Sequence, residues 1–178
     1  MSTVDLPVTR TYWADVLESI LSVACQSLSS TPLGMPANCY VGHSRPADDC
    51  CDFLAVWIDG LRPTIQFPFE FSDYDRCEIV RMMMDVTITL RRPCWPVVVD
   101  SAFNPFPEAS KIDAASTSLA IDAQALWSGV VQAYDAGALF YTPRPPNYIK
   151  WGSMSPMTNM GGCAGWQLKF TVDLDECA

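Results

Sequence analysis

The stretch Ile79-Val-Arg-Met-Met-Met-Asp-Val-Thr-Ile-Thr-Leu-Arg-Arg92 decides the fold class of this 178-residue chain. Its even positions include Val80, Met82, Met84, Val86, Ile88 and Leu90, and its odd ones Arg81, Asp85, Thr87, Thr89 and Arg91. Successive side chains on a strand point to opposite faces, so the alternation predicts a long strand with one apolar and one wet face. Pro93 and Pro96 lack the amide hydrogens a ladder needs and end it. The run Met82-Met83-Met84 is then packing material for a core or an interface.

On the N-terminal side, Phe53-Leu-Ala-Val-Trp-Ile58 is continuously apolar, as a strand covered on both faces would be. Asp59-Gly60-Leu61-Arg62-Pro63-Thr64 is expected to turn the chain, and Gln66 to Asp75, which contains Pro68, to be a loop or edge strand. Further back, Trp13, Val16, Leu17, Ile20, Leu21, Ala24 and Leu28 follow steps of three and four. They predict an amphipathic helix from about Leu6 to Leu28, closed by Ser29-Ser30-Thr31-Pro32.

On the C-terminal side, Ile112, Ala115, Leu119, Ala123, Leu126, Val130 and Ala133 mark a second helix from about Lys111 to Tyr134, with Gly137 as its stop. Leu139 to Tyr141 reads as a short strand, and Trp166 to Leu174 as a half-exposed one. Between them lies a long Pro- and Met-rich loop, at about 142–162, with Pro143, Tyr148, Trp151, Met154, Met157 and Met160 as candidate contacts to a neighbouring subunit or partner. Together these elements predict one α+β domain over residues 1–178, a mostly antiparallel sheet packed against two amphipathic helices.

Composition narrows the function. Hydrophobic residues make up 49% of the chain and charged residues 17%, below the roughly one quarter usual in a soluble domain. Such a surface favours a subunit that hides area in an assembly. A net charge of −9 argues against neutralising nucleic-acid phosphates. An acidic surface can still stand beside DNA if DNA must slide past without sticking. No basic segment followed by an apolar one marks a signal peptide, and no apolar run is long enough to cross a membrane. The expected setting is therefore a reducing cytosol, in tension with eight cysteines. A particle assembled in the cytosol and later exposed to oxidising surroundings would resolve that tension.

The densest chemistry is Cys39-x3-His43-x6-Cys50-Cys51, which holds three cysteines and the only histidine. Zinc is disfavoured, because extended Cys50 and Cys51 point apart and no C-x2-C pair is present. Nucleophilic catalysis with His43 needs a third group to orient the ring, and the sequence does not supply one. Gly161-Gly-Cys-Ala-Gly165 precedes a strand and lacks the Lys of a phosphate cradle. Its use is backbone flexibility or close approach between chains. Cys39, Cys50, Cys51, Cys77, Cys94 and Cys163 sit at the ends of predicted elements and are candidates for disulfide bracing, with connectivity open. Cys25 lies inside the first helix and reads as a buried thiol.

Taken in order, Pro36-x2-Cys39-Tyr-Val-Gly42, Asp48-Asp-Cys-Cys51, Phe67-Pro68, Cys77, Leu90-Arg-Arg-Pro-Cys94, Asp122-Ala-Gln-Ala-Leu126 and Gly161-Gly-Cys-Ala-Gly-Trp166 resemble the neck proteins of long-tailed actinobacteriophages, in particular the tail terminators. The similarity spans roughly residues 36–174, and the Asp-x-Cys-Cys motif is its most specific part. The resemblance implies a non-enzymatic, cofactor-free virion subunit, assembled in the host cytoplasm. It implies a homo-hexameric ring on the last ring of the tail tube protein, facing the head-side stopper or connector, with DNA passing through the lumen. It also implies that the six cysteines are structural bracing. The loop from Thr142 to Met160 has no counterpart in that pattern. The rival readings are a head–tail adaptor or stopper of the neck and a small zinc- or cysteine-dependent domain.

Overall fold

Described in the computed structural model are residues 12–42, 44–46, 52–64, 66–69, 81–93, 109–140, 146, 148–160 and 163–174. In chain order the elements are α1 (Tyr12–Leu28), β1 (Asn38–Gly42), β2 (Phe53–Thr64), β3 (Arg81–Pro93), α2 (Ala109–Asp135), β4 (Ile149–Met160) and β5 (Cys163–Leu174). The alternating stretch forms β3, the middle strand of one sheet ordered β1-β2-β3-β5-β4. Every pairing is antiparallel except β1 with β2. The fold is α+β, as the patterning predicts.

Both helices stop where their sequences say they should. At the end of α1 the Thr31 hydroxyl donates to the Leu28 carbonyl at 2.9 Å and the Ser29 hydroxyl to Gln26 at 2.7 Å, satisfying acceptors the helix leaves open. At the end of α2, Gly137 takes a left-handed φ of 67°. The Ala138 amide then reaches the Ala133 carbonyl, and the Gly137 amide that of Tyr134, which is the Schellman arrangement.

The core lies between the helices and one face of the sheet. Val16, Leu17, Ile20, Ala24 and Leu28 of α1 and Leu126 and Val130 of α2 meet Leu54 and Val56, the even-numbered apolar residues of β3, and Leu168, Phe170, Val172 and Leu174. The two helices also press on one another. A Cβ placed on Gly129 would lie 2.3 Å from that of Ser27, so the absence of a side chain sets how closely they approach.

Four local expectations need correction. Asp59-Gly60 does not end β2: Ile58 faces Val86 and Gly60 faces Asp85, so Asp59 is the extra residue of a β-bulge and the strand runs on to Thr64. The bulge moves Arg62 and Thr64 onto the face that carries Phe53, Ala55 and Trp57. Residues 149–160, expected within a loop, are strand β4. Leu139 and Phe140 are buried core residues outside any strand. Lastly, β3 does not have a wet face along its length: Thr87, Thr89 and Arg91 are 0%, 2% and 2% exposed. Trp57 of β2 supplies part of the reason, since its indole Nε1–H donates to Thr89 Oγ1 at 3.1 Å within the buried layer.

Candidate functional site

The cysteines divide into three groups. Cys163, 1% exposed, opens β5 opposite Pro93 and is disulfide-bonded, its partner lying outside the described residues. Cys39 lies in β1 opposite Leu54 and is a free thiol, so the bracing expected of it is absent in this structure. Cys25 of α1 is also a free thiol and is buried, as its place inside the first helix predicts. Burial pushes the Cys25 thiol up to about 12, and the hydrogen bond and charge of Cys39 act in the same direction. Cys50, Cys51, Cys77, Cys94 and His43 lie outside the described residues. Among the described residues no group of three or more His, Cys, Asp or Glu side chains is arranged to hold a metal ion.

A second feature went unread in the sequence. Arg92, 3% exposed at the end of β3, donates from Nε to Asp122 Oδ2 of α2 at 2.9 Å and from Nη1 to Asp52 Oδ1 at 3.0 Å. Its Nη2 also donates to the Gly34 carbonyl, in the connection leading to β1. Asp52 holds a left-handed φ of 59°, which a short polar side chain tolerates, and accepts the Ala37 amide at 3.0 Å. One guanidinium thus fastens α2, the entry to β2 and the entry to β1 onto the central strand. Three coplanar nitrogen donors in a buried place suit Arg and would not suit Lys. The available signal was Arg91-Arg92 at a strand end, and the distant carboxylates hid the rest.

The sheet face away from the helix-covered core carries paired charges. Arg62 Nη2 lies 2.6 Å from Asp85 Oδ2, whose other oxygen accepts the Thr171 hydroxyl at 2.7 Å, so β2, β3 and β5 are laced together. Lys169 of β5 reaches the bulge residue Asp59 at 2.9 Å. Arg81 Nη2 meets Asp173 Oδ2 at 2.8 Å, and Asp173 is wholly buried. Asp85 and Asp173 therefore serve as internal partners of cations; neither is a free acidic position of an exposed wall.

The residues expected to form a partner loop are dispersed by β4. Trp151 is half-buried, with ring centroids 5.7 Å from Trp127, 5.8 Å from Tyr134 and 5.5 Å from Phe170. Within the chain it fixes β4 to α2 and β5. Met154 packs against the core, and Met157 is half-buried opposite Gly165. Met160 pairs with Cys163 at the strand's far end. Tyr148 is 60% exposed and, with Phe67, Pro68, Arg81 and Lys150, borders an open groove of about 520 Å³. Pro143 lies outside the described residues. The period of two is hidden in β4 because its register shifts between Trp151 and Met154 and again between Met157 and Met160.

Among the described glycines of the sheet, Gly165 allows the tightest approach. A Cβ there would fall 1.9 Å from the Leu90 carbonyl oxygen, so this glycine serves the close contact of β5 with β3, while Gly161 and Gly162 lie outside the described residues. No helix among the described residues is long and apolar enough to cross a membrane. Comparison with models of known protein families and with curated proteins finds no match.

Proposed function

We propose that this chain is a structural subunit of a phage neck, a tail terminator that forms a ring on the end of the tail tube and meets the head-side connector. The observation that carries this reading is the border of the sheet. β4, twelve residues long, pairs with β5 on one side only among the described residues, and so presents a row of backbone groups along its other edge. A long edge strand is a template for pairing with another chain, and a subunit whose edge is covered by its neighbour turns that liability into an interface. The low charged fraction suits a surface hidden on several sides.

The laced face opposite the core supports the same reading. Arg62, Arg81 and Lys169 are each ion-paired with a carboxylate of the same face, which suits a rigid wall better than a site that must hold a charged reactant. A net charge of −9 suits passage of DNA without adhesion. The direct biological check is electron microscopy of tails assembled without this chain. A terminator's absence gives tails of uncontrolled length, whereas tails of normal length would refute that role and leave an adaptor or stopper position.

A further inference from the structure

We propose that neighbouring copies join at the start of β4, where a strand of a second copy pairs with Ile149 and Trp151. That strand carries acidic side chains beside Lys150 and apolar ones on the helix side. The contact rests on the self-assembling role proposed for this chain and gives it a place and a chemistry. Backbone geometry locates it. The Asp173 amide donates to the Tyr148 carbonyl at 3.0 Å, so these two are a hydrogen-bonded pair of the antiparallel ladder. Bonded and non-bonded pairs alternate. Lys150 therefore turns its backbone groups toward β5, and Ile149 and Trp151 turn theirs outward. Among the described residues, no backbone hydrogen bond takes up those outward groups.

Further along, the border is blunted. Gly152 and Ser153 oppose a single residue of β5 and form a bulge. The register of β5 with β3 is unbroken, so its odd-numbered residues face β4 throughout. Gln167 and Gly165 then bond inward with Ser155 and Met157, which turns Pro156 outward, where it has no N–H to offer. An added strand is left with residues 149–151. Side chains there set its chemistry. Ile149 and Trp151 stand opposite Val172 and Phe170 on the helix side and pack against the core. Tyr148 and the exposed Lys150 lie on the other face, on the groove that Phe67 and Arg81 also line. Arg81 is held by Asp173, whereas Lys150 forms no ion pair among the described residues. This surplus cation sits on a chain with eleven Lys and Arg against twenty Asp and Glu, so it is complementary to the surface of another copy. An adjoining strand sets alternate side chains flush with the two rows, which makes it apolar on one face and acidic on the other.

The test is amide-resolved hydrogen exchange on the intact chain, first concentrated and then diluted until native mass measurement shows monomers. Assembly is expected to slow the Ile149 and Trp151 amides about tenfold or more, while Lys150, turned toward β5, stays slow in both samples. Lys150→Glu sets like charges across the contact and is expected to weaken assembly roughly threefold to thirtyfold. The same charge change at Lys111, exposed on α2, is expected to leave assembly unchanged. An assembled protein whose Ile149 and Trp151 amides exchange as fast as in the monomer overturns this contact and leaves self-assembly to another surface. Equal weakening by the two variants also overturns it, since net charge alone would then be acting. A chain that is monomeric at every concentration removes the self-assembling role itself, and this contact with it.

Discussion

The two faces of the central strands are both buried at the same positions along the sheet, yet different physics holds them. On the helix-covered face, Val86, Ile88, Leu90, Leu168 and Phe170 exclude water by apolar contact. On the opposite face, Thr87, Thr89 and Arg91 are equally hidden but carry groups that want hydrogen bonds. The first face gains stability from the area it removes from water, in proportion to that area. The second gains little from each bond it makes and loses much from any it fails to make. The lesson is that polarity in an alternating strand does not identify the solvent side.

Substitutions on the two faces should therefore fail differently. The largest loss is expected where the helix-covered side uses a charge, at Arg92 and Asp122, which are 3% and 0% exposed. Asp122→Ala strips a buried guanidinium of its best-placed counter-ion, and the cost is about 3–5 kcal/mol, read as a lower denaturant midpoint. Leu168→Ala, a purely apolar truncation on the same side, is expected to cost about 3 kcal/mol, within the range for buried leucine. An apolar replacement that fits that space, Leu168→Met, should recover most of it.

On the opposite face the informative change removes one polar atom and no volume. Thr89→Val takes away the acceptor of the Trp57 indole N–H and leaves that donor buried, at a cost of about 1–3 kcal/mol. If the variant were as stable as the parent, the polar face would be held by packing alone and the contrast between faces would collapse. The smallest effect is expected at Lys169, whose ion pair with Asp59 is about 40% exposed on both sides. Lys169→Ala should change stability by less than about 1 kcal/mol in equilibrium unfolding, because water and salt screen such pairs.

The same contrast explains what the sequence disclosed. β3, β5 and both helices were legible because their apolar residues keep a single period from end to end. β1 was not, since Asn38-Cys-Tyr-Val-Gly42 is too short to show any period. β2 was cut short in the reading because Asp59-Gly60, a strong turn signal, is absorbed by a bulge. β4 was hidden by two register shifts and by Pro156, and its aromatic anchor Trp151 looked like a loop residue. The Arg92 junction joins positions on separate elements, and no local pattern announces a tertiary contact. Residue type marked the cysteines as the chemistry worth following. It did not say which of them meet.

The central claim is that this chain completes itself by joining copies of itself along its sheet border, and native mass measurement of the purified protein tests it most directly. The account predicts a closed ring with the mass of six chains. It further predicts that Ser153→Lys, an exposed change on β4, weakens the ring while leaving each subunit folded. A parent protein that stays monomeric across the concentrations found during assembly would contradict it.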